Sequence, residues 1–137
     1  WNTTFMPRQN LLNNLYVLCL SQRWDSHLMW AHYACNHKGY AIIYKQEIVA
    51  AFSGRCDGPV TYSKIVPDLR WFEGSREEMV EPLLSTKSDE WSYEREYRLI
   101  LSGEPAQAAL YKAIDAEMVA GVIFGSRASQ VVIDRAL

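Results

Sequence analysis

The chain is 137 residues long, with 49% hydrophobic and 22% charged residues, the profile of one ordinary globular domain and not of a disordered segment. Its formal net charge of −2 supplies no overall field toward nucleic acid or an anionic membrane. Cys19, Cys35 and Cys56 stand at unrelated spacings without a CxxC pair, which excludes a disulfide framework and suits a reducing, cytoplasmic compartment.

Residues 2–14 are polar and mixed, with Pro7, and predict a loop or short helix. The apolar run over 15–20 is short, rich in β-formers and ends at Ser21, which predicts a buried strand. Asp25-Ser26 offers an N-cap, and 27–38 holds no Gly or Pro, so a helix is expected there with Gly39 as its left-handed stop. Tyr40 to Tyr44 follows as a strand. Gly54, Gly58 and Pro59 mark a turn-rich connection before a strand that begins at 60–62.

Ser75 caps a second expected helix over 75–85, kinked or ended by Pro82. Alternation over 93–101 predicts a strand stopped by Ser102-Gly103, and 110–114 a further short strand. Residues 119–124 predict a strand closed by Gly125, and 126–137 a final helix. The expected architecture is α+β: a mixed, mostly antiparallel sheet with packed helices, in one domain spanning 1–137. The chain opens at Trp1 in ordinary protein-like sequence. It is therefore expected to be the C-terminal portion of a longer domain, incomplete at the N-terminus. No apolar stretch reaches the ~20 residues that span a bilayer, and no secretory signal is evident.

Two segments concentrate the chemistry. On the first helix Met29, His32, Tyr33 and Asn36 share one stripe with His37 at its edge, and Trp30 and Tyr33 provide aromatic walls. Such a face suits a planar ligand, stacked by rings and hydrogen-bonded by His and Asn. The plainer alternative is a helix packed on a sheet with its histidines satisfied locally. A zinc site is not indicated, since there is no His-Glu-x-x-His pattern and Cys35 lies on another side from His32.

On the strand over 93–101, Glu94, Glu96, Arg98 and Ile100 are expected on one face, with the carboxylates about 7 Å apart. Burial of one beside its twin raises a carboxylate pKa, the usual source of a general acid or base. The plainer alternative is a solvated strand face with weak ion pairs. Trp91 and Tyr93 lead into the strand and favour a central, buried position.

The run from Leu28 to Gly39, then Trp91, then Tyr93-Glu94-Arg95-Glu96-Tyr97-Arg98, then Val122-Ile123-Phe124-Gly125 resembles, in that order, a bacterial family known as domain of unknown function 2971. The resemblance covers about Leu18 to Gly125 and implies a cytoplasmic bacterial protein. The family's upstream Asn-Asp-Pro block is absent here, and its name carries no reaction. Separately, Glu94-Arg95-Glu96 resembles the Glu-x-Glu element of ADP-ribosyltransferases. Cys19-Leu20-Ser21 resembles their Ser-x-Ser strand with Cys in place of the first Ser, and their early Arg strand would lie upstream.

That second resemblance implies NAD as ligand, Glu96 as catalytic anchor, Glu94 as the residue orienting the nucleophile, and Trp30 or Tyr33 stacked on nicotinamide. His32 completes the expected catalytic set; Asn36, His37 and Arg98 complete the expected ligand contacts. Two other classes fit the same residues: a non-enzymatic domain binding a small ligand or partner, and a metal-dependent nucleic-acid hydrolase using His32, His37, Lys38 and the two Glu. Gly125 to Arg127 is a candidate accessory anion site.

Overall fold

The structure, a computed structural model, describes residues 15–52, 57–65, 82–102 and 114–136. Strand β1 (Leu15–Ser21) runs antiparallel to β6 (Glu96–Ser102), with Leu18 opposite Leu99 and Leu20 opposite Tyr97. The short β3 (Gly58–Pro59) pairs with the other edge of β6, so β6 is central in the order β1-β6-β3. A second antiparallel pair joins β2 (Tyr40–Tyr44) to β7 (Val119–Phe124), with a bulge between Ile43 and Tyr44. A third pair, β4 (Thr61–Ser63) with β5 (Thr86–Ser88), is parallel. The α+β class with mostly antiparallel pairing is as expected.

The helices are α1 (His27–Tyr33), α2 (Glu47–Phe52) and α3 (Gln130–Ala136). Helix α2 supplies Ile48 and Phe52 to the core, where both pack with Leu99 of β6, itself 0% exposed. Leu18, Leu20, Tyr44 and Tyr97 close around them. Period-two alternation sends Leu99 to this side, and full burial of each such side chain contributes about 1.5–3 kcal/mol. Among the described residues no helix is long and apolar enough to cross a membrane.

Several expectations need correction. The helix expected over 27–38 starts on its Ser26 cap but ends at Tyr33. Cys35, Asn36 and His37 have φ of 49°, 55° and 67°, a left-handed turn, while Gly39 does not. The cause is tertiary. Arg127 N–H donates to the His37 carbonyl and Gly125 N–H to that of Gly39, pulling the turn onto the end of β7. A Cβ on Gly125 would lie 2.2 Å from the His37 oxygen, so only glycine admits this approach.

The strand expected to start at residue 93 starts at Glu96. Residues 93 and 94 belong to a 3-10 helix, Asp89–Glu94, and Arg95 (φ 44°) turns the chain into β6. Residues 82–85 are helical; 75–81, the rest of the helix expected there, lie outside the described residues. Of the strand expected over 110–114 only Ile114 is described, and it is not in a strand; residues 2–14 also lie outside. Gly58–Pro59 pairs as a strand instead of serving as a turn, and 126–129 precede α3 instead of forming its first turn.

Candidate functional site

The left-handed Arg95 sets the site. It replaces strand alternation between Glu94 and Glu96, yet both carboxylates meet at one point, the Lys87 ammonium on β5. Lys87 Nζ lies 2.5 Å from Glu94 Oε2 and 3.1 Å from Glu96 Oε2. Arg98, two residues along the same face of β6, grips Glu96 with Nε at 2.7 Å from Oε1 and Nη2 at 3.2 Å from Oε2. Its Nη1 donates to the Leu84 carbonyl at 2.6 Å. The Tyr33 hydroxyl on α1 donates to Glu94 Oε1 at 2.8 Å. Glu96 N–H donates to the Tyr62 oxygen at 2.8 Å.

Glu94 and Glu96 are 3% and 5% exposed, and their two charges are matched by Lys87 and Arg98. Burial alone drives the Glu96 carboxyl upward, but hydrogen bonds from Arg98, Cys19 and Lys87 outweigh it and hold the pKa at about 2. The expected raising of a carboxylate pKa is therefore reversed at Glu96, because cations outnumber the like-charged neighbour around it. Burial lowers Lys87, and its bonds to Glu94 and Glu96 more than reverse that, leaving it raised. The Glu94 bond, then burial, raises the Tyr33 hydroxyl. Burial, then the adjacent Glu96, pushes the Cys19 thiol up to about 11, so this cysteine is a thiol and not a nucleophilic thiolate at neutral pH.

An aromatic group borders the cluster. Lys87 Nζ lies 5.0 Å from the Trp91 ring centre. The rings of His32, Trp91 and Tyr93 stand 6.0–6.4 Å apart, with His32 and Tyr93 stacked at 27°. His32 thus joins the site as a ring beside Tyr33, and Tyr33 rather than His32 makes the hydrogen bond to a carboxylate.

The remaining expected ligand contacts divide. Arg98 is in the cluster. Trp30 donates from its indole to the Trp24 carbonyl at 2.6 Å and, with Tyr33, lines an open cleft of about 1030 Å³. Asn36 and His37 sit on the left-handed turn, where the His37 ring is 6.0 Å from that of His27, and neither side chain hydrogen-bonds to the cluster. Gly125 and Arg127 spend their N–H groups on Gly39 and His37 and precede α3 by several residues, so no helix N-terminus is presented there to an anion.

Lys87 and Tyr62 were not singled out in the sequence, and Cys19 was singled out only for its place in the Ser-x-Ser-like run, not as a hydrogen-bond partner of Glu96. Lys87 lies on a three-residue strand too short to show periodicity, and nothing local announces that it reaches two carboxylates. Among the described residues, no three His, Cys, Asp or Glu side chains are placed to hold a metal ion.

A family model described as "Protein of unknown function (DUF2971)" matches residues 29–99. That span contains Tyr33, Tyr62, Lys87, Glu94, Glu96 and Arg98, hence the whole ion cluster apart from Cys19. Comparisons with curated proteins and with solved structures found no match.

Proposed function

The chain belongs to the DUF2971 family, and we propose that its domain handles a nucleotide-type small ligand, NAD above all, at the ring group beside Glu94 and Lys87. One observation carries this: three rings from two elements, His32, Trp91 and Tyr93, gather next to a buried carboxylate–ammonium pair. A nicotinamide or nucleobase stacks on such rings, a cationic nicotinamide gains from the nearby Glu94, and Lys87, which solvent partly reaches, suits a phosphate. Free thiols at Cys19 and Cys35 agree with a reducing bacterial cytoplasm as the setting.

Tryptophan fluorescence or calorimetry with NAD and adenine nucleotides tests the reading. Binding is expected to weaken at least about tenfold in Trp91→Ala, since base–aromatic stacking is worth roughly 1–3 kcal/mol. Equal affinity in that variant, or no binding by the unaltered chain, refutes it.

ADP-ribosyl transfer is the finer version of the same proposal, favoured by the convergence of Glu94 and Glu96 on one point. Glu96 has its oxygens engaged by Arg98 and Lys87, so as anchor it must trade one of these for a ribose hydroxyl. Nicotinamide release lost in Glu96→Gln supports transfer; turnover retained in that variant removes it. Metal-dependent hydrolysis gains no support from the cluster, where Lys87 stands between the two carboxylates that such chemistry needs free for a cation.

A further inference from the structure

The cleft that holds Trp30 and Tyr33 has an unusual lining. It is bordered by every residue of 18–24 and every residue of 40–46. A cleft over the face of a sheet meets alternate residues, because side chains alternate between faces. Continuous lining means that β1 and β2 present their edges.

The hydrogen-bond registers agree. Gln22 N–H donates to the Arg95 carbonyl at 3.0 Å, so in β1 the main chains of Leu18 and Leu20 point at β6 while those of Cys19 and Ser21 point away. Gly125 N–H donates to the Gly39 carbonyl at 2.9 Å and Lys45 N–H to that of Met118 at 2.8 Å. In β2, therefore, Ala41 and Ile43 point at β7, and Tyr40, Ile42 and Tyr44 point away. Among the described residues these outward main-chain groups have no hydrogen-bond partner. Met29 and Trp30 of α1 and Ile48 and Val49 of α2 supply apolar walls.

We propose that this cleft receives an extended segment of another polypeptide, about five residues with apolar side chains at alternate positions. Inserted as a strand, it joins the two antiparallel sheets into one with the order β3-β6-β1-inserted strand-β2-β7. Only an extended chain offers donors and acceptors along both of its edges, which a small molecule or a helix does not. A second copy is a poor donor, because each described strand is already paired within its own sheet. The cleft does not include the rings of His32, Trp91 and Tyr93; Tyr33 and Cys19 border both it and the ion cluster.

Amide hydrogen exchange on the full chain tests the proposal, with an end-capped heptapeptide of alternating threonine and valine as probe. Saturating probe is expected to slow exchange about tenfold or more at Cys19, Ser21, Tyr40, Ile42 and Tyr44. Leu18, Leu20, Ala41 and Ile43, which already face their partners, keep their rates. A probe N-methylated at every second residue protects one of the two strands and not the other. Unchanged exchange at the five amides with saturating probe overturns the proposal. So does slow exchange there without any peptide: concentration-independent protection means that the chain fills its own cleft, and concentration-dependent protection means that a second copy does.

Discussion

Strand β6 is buried on both sides by opposite means. Its odd-numbered face puts Leu99 against Ile48 and Phe52, where each apolar atom removed from water is a gain. Its even-numbered face puts Glu96 and Arg98 beneath Lys87, Glu94 and Tyr33, where burial costs free energy that pairing must offset. The apolar face tolerates any partner of the right shape. The charged face tolerates only a closed set, because a buried charge left without its partner is worse than no charge at all. A strand can therefore be central and still carry reactive groups, provided that neighbouring elements bring the counter-charges.

The largest expected effect falls on the apolar face. Leu99→Ala should cost about 4 kcal/mol in urea unfolding, and a second truncation nearby should add to the loss. Lys87→Met should cost about 3 kcal/mol by leaving two carboxylates short of a cation, but here a second change helps. Adding Glu94→Gln should recover part of the stability, and a double variant less stable than Lys87→Met alone breaks the contrast between the faces.

Acid sharpens it further. Glu96 is held at about 2 against an ordinary 4.5, so its contribution is fully present above about pH 4.5 and drains away as pH falls toward 2. Allowing for solvent at the edge of the cluster, up to about 2 kcal/mol should be lost across that window. Glu96→Gln should flatten this part of the profile, and an unaltered slope there assigns the effect to other groups. Tyr33→Phe is the mildest test. It removes one hydrogen bond to Glu94 from a side chain that is itself 63% exposed, and should cost about 1 kcal/mol while leaving the apolar face untouched.

How legible this was depended on the range of the interactions. The strands at Leu15–Ser21, Tyr40–Tyr44 and Val119–Phe124 followed from runs of apolar and β-branched residues, and the Ser26 cap from its own chemistry. The helix end did not, because Cys35, Asn36 and His37 form a left-handed turn held by bonds from Gly125 and Arg127, just past β7 and some ninety residues on. Glu94 and Glu96 were expected side by side on one strand; the left-handed Arg95 breaks that strand, and Lys87 brings the two carboxylates back together.

The sequence by itself determined the α+β class, the central place of the strand after Glu94 and the two segments where polar and aromatic groups accumulate. Those follow from side-chain periodicity and local caps, which act over a few residues. Only the tertiary structure decided that Lys87 closes the carboxylate pair, that Tyr33 rather than His32 makes its hydrogen bond, and that two strand edges face one cleft. The last two rest on groups far apart in the chain, and a contact of that kind leaves no local pattern to be read. Lys87 lies near Glu94 and Glu96 in sequence, but an irregular path through a 3-10 helix and the left-handed Arg95, which no periodicity announces, brings them together.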